Sequence, residues 1–280
     1  MSGSFLLSLV EQYGARLALL FVGTLGVVDA LRVLALGDVS EFDVLASSVP
    51  DGEQRSFKHL VHLSMDFGLP YAALVIYVAL RGSKNFVTAL CAAFALFGAV
   101  DLKALSLVAA LSAAGKTWAL GQSRFVVAAL VAFGLLFVCA PALKRVQRAS
   151  SLERRVLHLL GYASVLYTVL VWSGALTQHS LIGHLAAPSA ALVATHVSLL
   201  TFVSLEAVLL LAAVHYADEE ELLAFFLTAF SRLLFTGVTH AMALDYAGAA
   251  NTRLLVFNAL LALPFLYFVV KRVRDDKKRK

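Results

Sequence analysis

Carboxyl groups inside apolar stretches are the residues of this chain whose type and spacing could do chemistry. His62 and Asp66 lie one helical turn apart within the apolar stretch 57–85. A charge placed inside a membrane costs about 2.5–3.5 kcal/mol on insertion scales, so such groups need a partner, a proton or water. Two carboxyls that approach each other there tend to share a proton. The pattern favours a site for a cationic or hydroxyl-bearing apolar ligand. Further carboxyls stand in other apolar stretches: Asp29, Asp101 and Glu206.

Most of these residues also have a purely structural interpretation. Asp29 can pair with Arg32, which lies three residues later on the same helical face. His62 can be a core histidine hydrogen-bonded to Asp66. Glu206 has no charged residue within one turn of its own helix, so it is the carboxyl that packing explains least readily.

Histidines and an arginine in the apolar stretches allow two other chemistries. Haem ligation by His62 with His196 or His240 would require two histidines that face each other across a bundle. Arg232 and His240 lie eight residues apart, as in the arginine span of a rotary ATPase proton channel, but the rest of that motif is absent. The sequence has no glycine-rich phosphate loop, no metal-ligand spacing and no nucleophile motif. We therefore expect no metal and no cofactor.

Composition predicts an all-α polytopic membrane protein. The chain is 60% hydrophobic and 15% charged, with a mean hydropathy of +0.84, whereas soluble domains are about half apolar and a quarter charged. Lipid requires helices here, because they satisfy their own backbone hydrogen bonds. The two cysteines, Cys91 and Cys139, lie in apolar stretches and are expected to be core residues. The eight predicted transmembrane helices cover about 15–36, 57–85, 86–111, 125–143, 156–176, 190–215, 222–244 and 254–270.

The loop charges predict the orientation of the chain. The net charge of +5 is carried by the loops, which indicates topology rather than nucleic-acid binding. The basic segments 81–84, 144–155 and 271–280 fall on one side, and the acidic loop 38–55 falls on the other. Basic loops favour the cytosol, so we expect both termini there. No removable signal peptide is expected at the N-terminus.

The basic C-terminus has a second interpretation. Lys277 and Lys278 are fourth and third from the end, as in the di-lysine retrieval signal of endoplasmic reticulum membrane proteins. Such a signal is an address read by a receptor. An ordinary basic tail on the cytosolic side is the alternative.

The two halves of the chain share short motifs, which predicts two four-helix units, 1–148 and 149–280. Lys-Arg-Val closes both halves, at 144–146 and 271–273. Asp66 in LSMDF and Glu206 in VSLEA stand in corresponding spans. Since each unit has an even number of spans, the copies would be parallel and related by an axis along the membrane normal.

Several features of residues 17–146 resemble the EXPERA domain, the four-span module of emopamil-binding protein, the sigma-two receptor and the transmembrane-six superfamily. Asp29 closes the first span, and the second begins Phe57-Lys58, contains Leu69-Pro70 and leaves through 80–84, LRGSK. A weaker copy covers 156–273. The resemblance implies an endoplasmic reticulum protein with an intramembrane cavity for sterols or amphipathic amines.

The resemblance also implies roles for particular residues. Asp29 and Asp66 would contact the ligand in the first unit, and Glu206 would do so in the second, with Gln178 nearby. In an isomerase-like mechanism, Asp66 and His62 would relay protons and Asp29 would stabilise a carbocation.

Three functions are therefore expected as candidates. The first is binding of a sterol or other apolar ligand, with isomerase-like chemistry if the protein is an enzyme. The second is a non-catalytic structural subunit of a larger membrane complex. The third is a proton or small-solute transporter that uses the membrane acids. The expected partners are membrane lipid or sterol and other membrane proteins or a second copy of the chain, with no nucleic acid.

Overall fold

The computed structural model describes residues 13–37, 42–140, 143–146, 152–172, 185 and 187–279, with the side chains at 153, 171–172, 246–251 and 276–279 excepted. Within these residues all regular structure is helical. The expected all-α membrane architecture is confirmed at this level.

Nine α-helices and one 3₁₀ turn make up the described part of the chain. Pro70 and Pro264 lie inside the third and ninth helices. The helices are α1 (Ala15–Leu36), α2 (Asp43–Ala46), α3 (Gln54–Arg81), α4 (Lys84–Leu111), α5 (Ala113–Val138), α6 (Leu152–Trp172), α7 (Ala190–Tyr216), α8 (Glu219–Met242) and α9 (Leu244–Arg279), and the 3₁₀ turn (Asp51–Glu53) precedes α3.

Seven helices of the described chain are long and apolar enough to cross a membrane: α1, α3 with its 3₁₀ turn, α4, α5, α7, α8, and the stretch Thr252–Asp275 of α9. The predicted count of eight is not confirmed. The missing helix is α6, which begins with Arg154 and Arg155 in its first turn. The predicted span there runs to residue 176, past the last described residue of α6.

Short polar residues determine where several helices begin. Ser83, Ser112 and Ser189 cap α4, α5 and α7, each through a side-chain oxygen that accepts a backbone N–H of the first turn. Asp218 and Glu221 form a reciprocal capping box at the start of α8. These caps satisfy backbone donors that the helix itself leaves unpaired.

Helices α3 and α7 lie at the centre of the bundle. In the most apolar 18-residue stretch of each helix, 61% of the residues are buried in α3 and 56% in α7, against 6% in α5. The most extensive packing joins α4 to α5, α1 to α3, α8 to α9 and α4 to α7, followed by α6 to α7. Across the middle, α3 packs against α7 and α8, and α4 packs against α7, whereas the consecutive helices α3 and α4 barely touch. The predicted units 1–148 and 149–280 therefore pack together through their central helices.

Outer helix faces carry large apolar side chains. In water such a surface would mark an aggregation or interaction site, whereas in a bilayer it is the face that meets lipid. Representative exposed residues are Phe21, Leu36, Phe125, Val138, Leu159 and Met242.

One end of the bundle, which we call the basic end, carries residues 81–85, 144–146, 214–221 and Arg272. Asn85 joins the segments at this end. Its side-chain nitrogen donates to the backbone carbonyls of Lys144 and Tyr216, and its side-chain oxygen accepts the backbone N–H of Lys144. The opposite end carries Glu53, whose carboxylate accepts the backbone N–H of Ser189 at 3.1 Å.

Glu221 joins the two helix starts at the basic end. Its carboxylate is 2% exposed and accepts the backbone N–H of Ser83 at 2.5 Å and that of Asp218 at 2.6 Å. Ser83 and Asp218 are the caps of α4 and α8. One buried carboxylate therefore serves a helix start in each half of the chain.

Corresponding contacts recur in the two halves. Arg16 at the start of α1 donates to the carbonyls of Ala79 (2.8 Å) and Gly82 (2.6 Å) at the end of α3. Arg154 at the start of α6 does the same at the end of α7, with Val214 and Ala217 as acceptors. The same register brings Gly23 against Ile76 in the first half and Gly161 against Leu211 in the second.

This correspondence changes how the two halves align. It pairs Gly82 with Ala217, the residues that end α3 and α7, and with the same offset it pairs Tyr71 with Glu206. The motif comparison had paired Asp66 with Glu206. Asp66 lies more than one helical turn before Tyr71, the residue that corresponds to Glu206. The carboxyls of the two halves, Asp66 and Glu206, are therefore not at equivalent positions. The division into two units stays a prediction.

We predict that Gly23→Leu will loosen the α1–α3 pair. A Cβ at Gly23 would lie 2.8 Å from Cγ1 of Ile76 and 3.0 Å from the carbonyl oxygen of Ala72. Overpacking of this kind costs about 1–3 kcal/mol. The measurement is the melting temperature of the purified protein in detergent. Gly121→Leu is the matched control, because a Cβ at Gly121 meets nothing within 4 Å; equal melting temperatures for the two variants would contradict the packing described.

Candidate functional site

An ion pair between α7 and α8 lies at the centre of the bundle. Arg232 is in the middle of α8 and is 7% exposed. Its Nη2 donates to Oε1 of Glu206, in the middle of α7. Both partners are far from the helix ends, so the pair lies midway along the bundle.

Helix α3 covers the pair with two aromatic residues. The Arg232 guanidinium lies over the ring of Phe67, 4.6 Å from its centroid, a cation–π contact that partly replaces lost hydration. Tyr71 is buried, and its hydroxyl lies beside both Glu206 and Arg232, though it makes no hydrogen bond of ordinary geometry. The pair is therefore enclosed by residues from both halves of the chain.

Asp66 of α3 is a second carboxyl at this site. It is 3% exposed, interacts electrostatically with Arg232 and is approached by the Thr239 side chain. Its Oδ2 has no hydrogen-bond partner among the described residues. We call Asp66, Tyr71, Glu206 and Arg232 the central cluster. It holds one permanent cation and two carboxyls.

The charges of the central cluster balance only when one proton is bound. With both carboxyls ionised, the cluster carries a net charge of −1 in a region with little water. With one carboxyl protonated, it is neutral. Burial favours the neutral arrangement, because a net charge in a buried site is not solvated by water. The cluster is thus chemically able to bind and release a proton.

Polar side chains continue from the central cluster toward the opposite end. His59 of α3 and His240 of α8 place their ring centroids 5.3 Å apart. His59 precedes Asp66 by two helical turns, roughly 10 Å along the axis. On the α9 side, Asn258 donates to the hydroxyl of Thr236 at 3.3 Å.

The structure separates the residues that the sequence analysis grouped as a catalytic site. Asp29 is half-buried on α1 and interacts with Arg32, as its structural interpretation predicts. His62 is half-buried, and the charged group that acts on it is Lys58. Asp66 instead interacts with Arg232 and Thr239. No interaction joins the three residues in the described chain, and their catalytic roles stay a prediction.

Other candidate residues have different outcomes. Glu206 lies in the central cluster. Gln178 lies outside the described residues. The ring that lies against His240 belongs to His59 rather than to His62, and His196 is buried on α7.

A groove of about 450 Å³ lies between α3 and α8, nearer the basic end. It is lined mainly by small and aliphatic side chains, among them Ala73, Leu223, Ala224 and Leu227. None of Asp29, Asp66 and Glu206 lines this groove. The expected sterol cavity with paired acids at its floor does not correspond to it.

Comparison of the chain with models of known protein families, with curated proteins and with solved structures found no match. The EXPERA resemblance therefore stays a prediction, and function has to be argued from the site itself.

We predict that removing Arg232 alone will destabilise the protein more than removing the pair. Arg232→Met leaves Glu206 buried without its cation, which costs about 3–5 kcal/mol, whereas apolar replacement of both partners is often neutral. We expect Arg232→Met to lower the melting temperature in detergent and Arg232→Met with Glu206→Leu to recover most of the loss. Arg81→Met, at an exposed arginine, is the control. A double variant no more stable than the single one would contradict the pairing.

Proposed function

We propose that the protein translocates protons across its membrane and that the central cluster is where the proton binds. The observation that carries this proposal is that Arg232, at mid-depth, forms an ion pair with Glu206 of the second half and lies within electrostatic reach of Asp66 of the first. Ionisable residues inside a membrane bundle commonly mark proton relays and solute paths.

A purely structural role accounts poorly for this arrangement. Apolar residues of similar volume hold helices together at least as well as a buried ion pair. Tying α7 to α8 also requires only Glu206 and Arg232. A second carboxyl with an unpartnered oxygen adds a desolvation cost that the tie between α7 and α8 does not require.

The geometry supports a simple exchange of partners. When one carboxyl of the cluster carries the proton, the other is left as the ionised partner of Arg232. Tyr71 lies beside Glu206 and Arg232, where its hydroxyl can donate a hydrogen bond to the Glu206 carboxylate. Because the partners belong to α3, α7 and α8, the exchange would alter the packing between the two halves.

Access to the cluster is best supported from the opposite end. The His59–His240 ring pair and Thr239 beside Asp66 provide groups that can donate and accept protons. Histidine is suited to this role, because its charge changes near neutral pH. A proton entering there would reach Asp66 first.

The proposal also specifies the orientation of the helices and the membrane in which the protein lies. With α6 as an eighth span, both termini fall on the side of the basic end, which basic loops assign to the cytosol. The endoplasmic reticulum, which the EXPERA resemblance implies, stays the predicted membrane. Binding of a sterol at Asp29 and Asp66, and a scaffold role in a larger complex, remain predictions that no contact described above favours.

We predict proton flux that depends on Glu206. The full-length protein is reconstituted into liposomes that contain a pH-sensitive dye, and a potassium diffusion potential drives protons inward. Glu206→Gln cannot ionise, so we expect it to reduce flux by at least about tenfold. Asp101→Asn is the matched control, since it removes another intramembrane carboxyl, one that interacts with none of the central cluster.

The controls make the result decisive. Each variant is first checked for a single symmetric size-exclusion peak, so that a folding defect is not read as a loss of flux. Flux no greater than in empty liposomes, or a Glu206→Gln protein as active as the unmodified one, would reject proton translocation through this cluster.

A further inference from the structure

The start of α8 presents three consecutive glutamates at the basic end, and two of them are engaged. Glu219 forms an ion pair with Arg272 at 2.5 Å and lies 4.0 Å from Arg154. Glu221 is buried and accepts two backbone N–H groups. Glu220 is exposed and forms no ion pair within the described part of the chain. It is therefore the carboxylate available at this surface.

Glu220 stands at the mouth of the groove between α3 and α8. The groove continues from Glu220 and Tyr77 along Ala73 and Ala224 to Thr228. The groove is open because the side chains of Ala73 and Ala224 are short. Its volume of about 450 Å³ lies within the range of small-molecule sites, about 300–1,000 Å³. Ala73 and Leu227 are exposed on its walls, so the groove opens sideways toward the hydrocarbon of the bilayer.

Charges of both signs surround the mouth. Tyr77 interacts electrostatically with Glu220 and with Arg81, which lies in the last turn of α3. Asp218 and Glu221 also act on Tyr77, but both carboxylates are engaged in the capping box. Arg81, like Glu220, forms no ion pair among the residues that the structure describes. Glu220 and Tyr77 therefore line the mouth, and Arg81 lies one helical turn beyond Tyr77 on the same face of α3.

We propose that the groove binds one aminophospholipid of the ethanolamine type. An acyl chain fills the apolar part between α3 and α8. The headgroup ammonium donates to Glu220, and the phosphate accepts from Arg81, where charge-assisted hydrogen bonds are strongest. A choline headgroup has no N–H to donate, and a glycerol headgroup has no cation. The site thus distinguishes headgroups that carry the same chains.

The test uses native mass spectrometry of the full-length protein in detergent. Phosphatidylethanolamine, phosphatidylcholine and phosphatidylglycerol with identical chains are added in turn. We expect the ethanolamine lipid to bind at least about fivefold more tightly than the choline lipid, because its ammonium can donate hydrogen bonds to a carboxylate and the quaternary ammonium of choline cannot. Glu220→Gln should remove that preference while weak binding of all three lipids persists.

A second variant tests the groove separately from the headgroup site. Ala73→Phe fills the hollow from an exposed position, so we expect it to reduce binding of all three lipids without disturbing the bundle. Glu219→Gln is the matched control for charge, because that carboxylate belongs to another ion pair. Equal binding of ethanolamine and choline lipids, a preference that survives Glu220→Gln, or unchanged binding in Ala73→Phe would overturn the proposal. None of these readouts depends on proton flux.

Discussion

An arginine enclosed by helices in the middle of a membrane bundle must have its charge neutralised by residues from other helices. Arg232 has no acid within one turn of its own helix, so Glu206 of α7 contacts it and Asp66 of α3 lies within electrostatic reach. This requirement places three central helices, from both halves of the chain, around one point. Because the carboxyls must lie level with Arg232 to neutralise its charge, Glu206 and Asp66 are also far from the ends of their helices.

The basic end supplies a fixed joint for the same helices. Glu221 binds the starts of α4 and α8, and Arg16 and Arg154 close the ends of α3 and α7. These contacts satisfy backbone groups that cannot be left unpaired in lipid. At the opposite end, Glu53 accepts the backbone N–H of Ser189, and Arg55 lies 4.0 Å from Asp245, with both side chains exposed.

Much of the fold was predictable because membrane spans are long and their ends carry recognisable residues. Apolar length indicated the spans, and Ser83 and Asp218 are the helix-starting residue types expected at their ends. The Asp29–Arg32 interaction was also predictable, because both residues lie on one face of one helix. The fifth span was less secure, since its first turn is charged and its predicted end lies beyond the described residues.

The central cluster was only partly predictable. Glu206 was recognised as unexplained by its own helix, but its partner Arg232 lies 26 residues later, on a helix whose rotation only the packing determines. The match of LSMDF with VSLEA suggested that Asp66 and Glu206 were equivalent. The backbone contacts instead pair Glu206 with Tyr71, because short apolar motifs align in several registers. His62 and Asp66 share a helix face, yet the carboxyl interacts with α8.

The most direct test of the account is a charge exchange at the ion pair. Glu206→Arg and Arg232→Glu are each made alone and then together, and melting temperature and proton flux are measured on the same preparations. The account predicts that each single reversal destabilises the protein and that the exchange recovers the melting temperature. It also predicts that flux stays lost, because in the double variant position 232 carries a glutamate and Asp66 no longer has an arginine there to interact with. Full recovery of flux with the exchanged charges would contradict the account and leave the pair as a structural tie.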